Sequence, residues 1–239
     1  FSMECIEQPL DSARFGGHHT VQVLRNGDLA GRMYLKTTLP KLNDDGKSTS
    51  CAWVRRVGHA LIDNIECTVG GSQVDKHWGT WYDLWYELTH KVGQERGYAR
   101  MIGDVPELTS VDKNALNPYQ MYVPLQFWFN RNPGLALPLI ALQYHEVKLN
   151  LELRPITDLV QGAASVTGSI YSCKLYVDYV YLDTDERRRF AQKGHEYLIE
   201  QVQHTGGDTV SGSSESSSAL IRLSFNHPVK ELVWCYQNA

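Results

Sequence analysis

Apolar and polar residues alternate along much of this 239-residue chain, which is the pattern of β-strands that bury one face. The clearest stretch is 144–153, where alternate residues from Val147 to Leu153 are apolar and fall on one face. Phe1, Met3 and Cys5 begin the first alternating stretch. Alternation or a dense apolar run predicts further strands near residues 21–23, 33–39, 61–69, from 74 onward, 121–129 and 171–182.

Turn signals separate these predicted strands. Asn26-Gly27 predicts a hairpin turn because both residues tolerate positive φ, and alternate residues from Met33 to Leu39 then share one face. About eight one-sided strands over residues 1–183 are most simply buried by two antiparallel sheets. A jelly roll does this with few free edges. The predicted fold class is therefore all-β, an antiparallel eight-stranded jelly roll.

The spacing changes from two residues to a helical period in one segment. Its large apolar residues predict one short amphipathic helix whose stripe packs on the barrel as core, a more common role than a ligand site. The stripe consists of Trp78, Trp81, Tyr82, Trp85, Leu88 and Val92.

Loops and a second set of strands complete the predicted organisation. Residues 40–51, 93–119 and 205–218 are predicted to be exposed loops, the last rich in Gly and Ser. Alternation resumes at 197–203 and over 220–236. We therefore expect a first barrel over 1–183, a connector over 184–196 with a short helical turn, and the start of a second barrel over 197–239.

Charge and cysteine content remove several classes of function. The net charge is -4, and no basic surface of the kind that binds nucleic acid is evident. The run Arg187 to Arg189 follows Asp183 and Asp185, an order that suits a solvated helix start. Five scattered cysteines argue against a disulfide framework and a zinc site, and favour a reducing compartment. No transmembrane segment or signal peptide is expected.

Residues that could support catalysis do not form a recognisable constellation. His145 and Glu146 lie next to each other on a predicted strand, so their side chains point to opposite faces. His18, His19 and His77 have no Cys or acidic residue at a metal-ligand spacing that we could identify. No nucleophile, phosphate-binding or zinc-protease motif occurs. We assign no catalytic, cofactor-binding or metal residue and expect a protein that is not an enzyme.

Several longer segments are distinctive as sequences. The most specific is Pro-Gly-Leu-Ala-Leu-Pro-Leu-Ile-Ala-Leu-Gln-Tyr-His-Glu-Val-Lys-Leu at 133–149. Others are Arg-Asn-Gly-Asp-Leu at 25–29, Val-Gly-Gly-Ser-Gln-Val-Asp-Lys-His at 69–77, His-Glu-Tyr-Leu-Ile-Glu-Gln at 195–201 and Phe-Asn-His-Pro-Val-Lys at 225–230. In this order they resemble the major capsid proteins of nucleocytoplasmic large DNA viruses, the double jelly-roll family with algal-virus, iridovirus and marseillevirus-like members. Residues 40–55, 93–118 and 155–170 match this family weakly.

The resemblance implies a structural virion protein. Two barrels stand side by side, three copies form a pseudo-hexagonal capsomer, and capsomers tile an icosahedral outer shell that is assembled in the host cytoplasm. The implied partners are further copies in the homotrimer, neighbouring capsomers and minor capsid proteins. Nucleic acid and membrane spans are not implied, although relatives surround an internal membrane. We expect the loops at 93–119 and 205–218 to be subunit contacts or exterior surface, and the family's N-terminal segment and most of the second barrel to be missing here.

Two other readings of the jelly roll stay open at this point. A carbohydrate- or ligand-binding module shares the architecture, because fold does not fix function, but the chain offers no clustered acidic loop for calcium. A cupin-type metalloenzyme would need two or three histidines converging inside one barrel. A trimer of the full-length protein in solution favours the capsid reading, whereas a sugar-binding monomer favours the module.

Overall fold

The computed structural model describes residues 1–10, 12–42, 51–111, 117–162, 168–207 and 220–236. The strands are β1 (Ser2–Pro9), β2 (His18–Gln22), β3 (Leu29–Leu39), β4 (Cys51–Trp53), β5 (Ile62–Val69), β6 (Ser72–Trp78), β7 (Tyr119–Pro124), β8 (Val147–Leu153), β9 (Val160–Gly162) and β10 (Ser172–Tyr181). The α-helices are α1 (Val57–Leu61), α2 (Gly79–Thr89), α3 (Glu95–Ile102), α4 (Pro106–Thr109), α5 (Trp128–Arg131) and α6 (Thr184–Gln192). Short 3-10 turns cover Pro133–Leu135 and Ile156–Asp158.

Two four-stranded sheets form the barrel. One has the strand order β1-β10-β3-β7 and the other β2-β8-β5-β6, with antiparallel pairing throughout. This is the strand order of a jelly roll, so the predicted fold class is confirmed. Strands β4 and β9 form a small separate antiparallel ladder.

The alternation predicted the inner faces of the central strands correctly. On β3, alternate residues from Met33 to Leu39 are buried, and on β8 the same is true from Val147 to Leu153. The apolar members of these two sets belong to one continuous core between the two sheets. Burial of each such side chain contributes about 1.5–3 kcal/mol relative to leaving it in water.

The first strand faces the other way from the expectation. Met3 and Cys5 are exposed on β1, whereas Ile6 and Gln8 point toward the core. Because β1 is an edge strand paired only with β10, its inner positions are fixed by the register that places Ile6 opposite buried Val177. Alternation shows which residues share a face but not which face is buried.

Helices replace two segments that were predicted to be loop or strand. Within 93–119, helices α3 and α4 pack Ile102 and Leu108 into the interior. Residues 127–129 were predicted to continue a strand, but β7 ends at Pro124 and α5 follows. The Asn130 side chain accepts a hydrogen bond from the Phe127 backbone N–H, which closes this helical turn.

The aromatic stripe of the predicted helix is only partly core. Of its residues, Tyr82 is buried, the three tryptophans are half-buried, and Leu88 and Val92 are exposed. The helix turns a different side inward because Asp83 bonds to buried His59 and Tyr86 stacks on Tyr98. Contacts with residues distant in sequence therefore set the orientation of α2.

The chain divides into two compact units, Phe1–Gln201 and Val202–Ala239. In the second unit, the described residues 202–207 and 220–236 form no helix or strand ladder, which differs from the expected opening strands. A strand requires a neighbouring strand to bond its backbone. Here the Gln203 side chain bonds the backbone of one residue, Asn226, in place of a neighbouring strand. It accepts a hydrogen bond from the Asn226 N–H at 2.9 Å and donates one to the Asn226 carbonyl at 3.2 Å.

Parts of the predicted loops at 40–51, 93–119 and 205–218 lie outside the described residues, namely 43–50, 112–116 and 208–218. The expected connector over 184–196 is largely occupied by α6. The Asp183 side chain caps this helix by accepting the Glu186 N–H at 2.9 Å. The basic run Arg187 to Arg189 therefore follows acidic residues on one helix, as the sequence order indicated.

Candidate functional site

His145 and Glu146 do not act together in the structure. Both side chains are exposed, and Glu146 pairs instead with Lys148 at 2.6 Å. The hydrogen bond from the Lys148 ammonium lowers the pKa of the Glu146 carboxyl. His145 lies in the turn before β8 and its backbone N–H bonds to Leu142. This geometry matches an exposed turn more closely than a catalytic pair.

His18 and His19 are also separated. The exposed His18 lies 3.4 Å from Glu152 on the neighbouring strand β8. His19 contacts the backbone of Arg14. One histidine beside one carboxylate does not make a metal site, and within the described ranges no group of three or more His, Cys, Asp or Glu could hold a metal ion.

His77 has an acidic partner that the sequence analysis missed. Its Nε2 lies 2.9 Å from the Asp75 carboxylate, and both side chains are only 1% exposed. The His77 ring stacks on Phe127 with centroids 4.4 Å apart. The signal was present in the sequence, because residues two apart on a strand share a face. The pair lies inside the first unit, where the His77 ring contacts Tyr82 of α2 as well as Phe127.

A second buried histidine, His59 on α1, joins three helices. Its Nδ1 lies 2.7 Å from the Asp83 carboxylate of α2 and its Nε2 lies 2.8 Å from the Tyr98 hydroxyl of α3. Burial and the nearby Asp83 charge raise the pKa of Tyr98, so its hydroxyl stays protonated and can donate to Nε2. No local pattern in the sequence indicated this trio, whose members are 24 and 39 residues apart.

Arg56 extends the same network at the surface. It holds a left-handed backbone conformation with φ 51°, places its guanidinium 5.2 Å from the Tyr86 ring, and forms ion pairs with Asp83 and Glu87. Neighbouring Arg55 bonds Asp104 through two nitrogens, at 3.0 and 3.2 Å. These contacts attach the helical segment after β6 to the barrel. His59 is fully buried, which suits a structural role.

Two thiols of the first unit have raised pKa values. Burial raises the pKa of the Cys67 thiol to about 12, with a smaller contribution from the nearby Asp75 charge. Cys5 lies on the outer side of edge strand β1, yet its pKa is also raised to about 12, first by partial burial and then by its hydrogen bond with Asp178. A raised pKa keeps a thiol protonated and therefore slow to react.

We expect alkylation of Cys5 by iodoacetamide at pH 8 to be slow, because only about one molecule in ten thousand carries the thiolate four units below the pKa. The rate should rise about tenfold for each pH unit between pH 8 and 10. Asp178→Asn should accelerate the alkylation of Cys5, because this substitution removes the neighbouring carboxylate. Peptide mass mapping measures the rate, with exposed Cys235 as the internal reference. Fast labelling of Cys5 at pH 8 in the wild-type chain would contradict this account.

The exposed surface of α2 and the residues just after it carry large apolar side chains. Leu88 is 63% exposed and Val92, just after the helix, is 96% exposed. Trp81 and Trp85 lie on the same side with ring centroids 5.7 Å apart. Large exposed apolar side chains on one side of a helix are typical of an interaction surface. Among the described residues, no helix combines the length and apolar character needed to cross a bilayer.

Comparison with known proteins gives a consistent result. The profile of the major capsid protein N-terminus matches residues 1–183, and that of the large eukaryotic DNA virus major capsid protein matches residues 186–239. The major capsid protein of Pyramimonas orientalis virus is 49% identical over 98% of this chain and 56% of its own length. Capsid protein 1 of Acanthamoeba polyphaga mimivirus is 44% identical over 98% of this chain and 42% of its own length.

A solved structure extends the similarity to three dimensions. The quasi-atomic model of the PBCV-1 virus capsid aligns with a TM-score of 0.78 and 38% identity, over 95% of this chain and 54% of that chain. The strand order and these similarities define a viral jelly-roll capsid protein. More narrowly, the chain belongs to the major capsid protein family of large eukaryotic DNA viruses. It spans about half the length of the curated relatives that it matches.

Proposed function

We propose that this chain is part of a structural capsid protein whose full-length form trimerises into pseudo-hexagonal capsomers and tiles the icosahedral outer shell of a virion. The observation that carries the proposal is the agreement of two family profiles, covering 1–183 and 186–239, with a jelly roll that superposes on the PBCV-1 capsid. The relatives are named as capsid proteins. The protein acts by assembly and not by catalysis.

The proposed organisation keeps the boundaries that the sequence indicates. Residues 1–183 form the first barrel, 184–196 connect the barrels, and 197–239 begin the second. The break between the family profiles at 183–186 supports a boundary near the start of α6. Minor capsid proteins are proposed partners on the virion, and the host cytoplasm is the proposed place of assembly.

The described structure offers a physical reason for a rigid building block. The two sheets share one apolar core, and the helices after β6 are attached by buried polar contacts. Close-packed protein interiors deform little, so the barrel is expected to keep its shape when neighbouring subunits contact it. Closed rings with threefold symmetry require heterologous contacts that close after three steps.

We expect the full-length protein to run as a trimer in solution. Light scattering coupled to size-exclusion chromatography measures the mass, and low-resolution electron microscopy of expressed particles tests for a pseudo-hexagonal outline. A monomer that binds oligosaccharide in calorimetry would favour the ligand-binding jelly roll instead. A monomer without ligand or assembly at micromolar concentration would also remove the capsomer proposal.

A further inference from the structure

The segment that contains the connector is bound to the barrel at both of its ends. This segment, residues 182–201, is called the strap below and lies entirely in the first unit. Its middle part is α6, whose nine residues are all described and include no buried side chain. An element with few buried apolar contacts opens easily, so polar contacts with the barrel decide whether the strap is fixed.

Asp28 holds the first end of the strap. One oxygen of its carboxylate accepts a hydrogen bond from the Leu182 backbone N–H at 2.8 Å, and the other pairs with Nε of Arg187 in α6 at 3.0 Å. The Asp28 side chain is only 10% exposed, so solvent ions screen these contacts weakly. Hydrogen bonds to a charged group are about twice as strong as those between neutral groups.

Asp28 can anchor the strap because the barrel holds its own backbone on both sides. Its N–H donates to the Val180 carbonyl of β10 at 3.0 Å, and its carbonyl accepts from the Ile140 N–H at 3.1 Å. The preceding residue, Gly27, lies so close to β10 that a Cβ there would be 2.8 Å from the Cβ of Tyr179. The backbone that presents the carboxylate therefore has little room to move, and β10 sets its position.

The other end of the strap is attached to a different sheet. Glu200 pairs with Arg131 of α5 at 2.9 Å. The side-chain amide of the next residue, Gln201, donates a hydrogen bond to the Val74 carbonyl of β6. Asp28 directly precedes β3, and β3 and β6 belong to different sheets. The strap is therefore attached to both sheets of the barrel.

We propose that the strap is a fixed support and not a flexible hinge, and that Asp28 is the positioning residue that anchors it. The proposal rests on the proposed function, because it concerns the link between the two barrels. The second unit begins at Val202, directly after the Gln201 contact, so it starts from a point that the first barrel fixes. A fixed link restricts the arrangements of two barrels, and less conformational entropy is then lost when subunits associate.

Hydrogen–deuterium exchange of the full-length protein, measured by mass spectrometry on peptides from 182–193, tests the anchor. Asp28→Asn and Arg187→Ala should each speed the exchange of these peptides by about tenfold or more, because each removes a charge-assisted hydrogen bond. Arg188→Ala is the matched control. The two arginines are adjacent in α6 and are 57% and 62% exposed, but Arg188 pairs within the helix, with Asp185 at 3.8 Å. Its replacement should change the exchange by less than about twofold.

Chymotrypsin tests the far end of the strap, because it cuts after Leu198 only when the segment leaves the barrel and enters the protease cleft. Arg131→Gln removes the ion-pair partner of Glu200 and should raise the initial rate of this cut about threefold. Arg55→Gln is the control, since it removes an ion pair of similar length, 3.0 Å to Asp104, away from the strap. It should leave the rate unchanged.

Four outcomes overturn the proposal. Wild-type peptides from 182–193 that exchange as fast as an unfolded chain show that the strap is a hinge. Equal effects of Arg187→Ala and Arg188→Ala, or no effect of Asp28→Asn, show that Asp28 does not anchor α6. Unchanged cleavage in Arg131→Gln shows that the far end is not attached through Glu200. A full-length protein that never trimerises but keeps a protected strap is a different result, since it removes the proposed function and leaves the strap in place.

Discussion

Replacing Gly79 with alanine is expected to destabilise the first unit by about 3 kcal/mol or more, because the added methyl group would overlap backbone atoms that cannot move away. Gly79 is the first residue of α2, directly after β6. A Cβ at this position would lie 2.4 Å from the carbonyl oxygens of both His59 and Ile62. These are backbone atoms at the junction of α1 and β5, so no side-chain rotation can relieve the overlap.

The helix propensities of glycine and alanine do not decide whether Gly79→Ala raises or lowers the stability. Alanine is favoured over glycine within a helix by roughly 1 kcal/mol, which is too little to offset the overlap. Gly97→Ala in α3 is the matched control, because its Cβ would meet nothing within 4 Å, and it should stabilise the chain by about 0.5–1 kcal/mol. Urea denaturation followed by tryptophan fluorescence measures both. Equal midpoints for Gly79→Ala and the wild type would show that α2 does not approach α1 this closely.

The central strands could be predicted from the sequence because the alternation of apolar and polar residues, which marks a strand with one buried face, is a local pattern. Alternation from Met33 to Leu39 and from Val147 to Leu153 identifies residues on one face, and strands in the middle of a sheet have that face buried. The edge strand β1 shows the limit of the method. Its apolar residues Met3 and Cys5 are outside, because the pairing with β10 fixes its orientation.

The helical segment after β6 was harder to predict for a different reason. The stripe of α2 is regular, but His59 and Tyr98, which decide its orientation, lie far from it in sequence. The polar residues of 93–109 resemble a loop in composition, although Ile102 and Leu108 fix two short helices on the barrel. Local patterns carry no information about such contacts, whereas Asp75 and His77 could have been paired from their spacing.

Substitutions at the buried pair of Asp75 and His77 are expected to change the stability of the chain strongly and non-additively. His77→Phe keeps a ring against Phe127 but leaves the Asp75 carboxylate buried without the imidazole, 2.9 Å away in the wild type. Removing the partner of a buried polar group costs about 1–3 kcal/mol. Asp75→Asn alone should also destabilise the chain, since it weakens the same contact.

The decisive measurement is the double variant, Asp75→Asn with His77→Phe. Asparagine is neutral and its carbonyl oxygen can still accept the Lys76 backbone N–H, as the Asp75 carboxylate does at 2.9 Å. In the His77→Phe background the second change replaces a buried carboxyl group that has lost the imidazole with a neutral amide, so it should restore about 1 kcal/mol or more of the lost stability. The same substitution therefore destabilises the wild type and stabilises the variant. Urea midpoints of the four proteins complete the cycle. Additive losses would show that the carboxylate and the imidazole do not compensate each other.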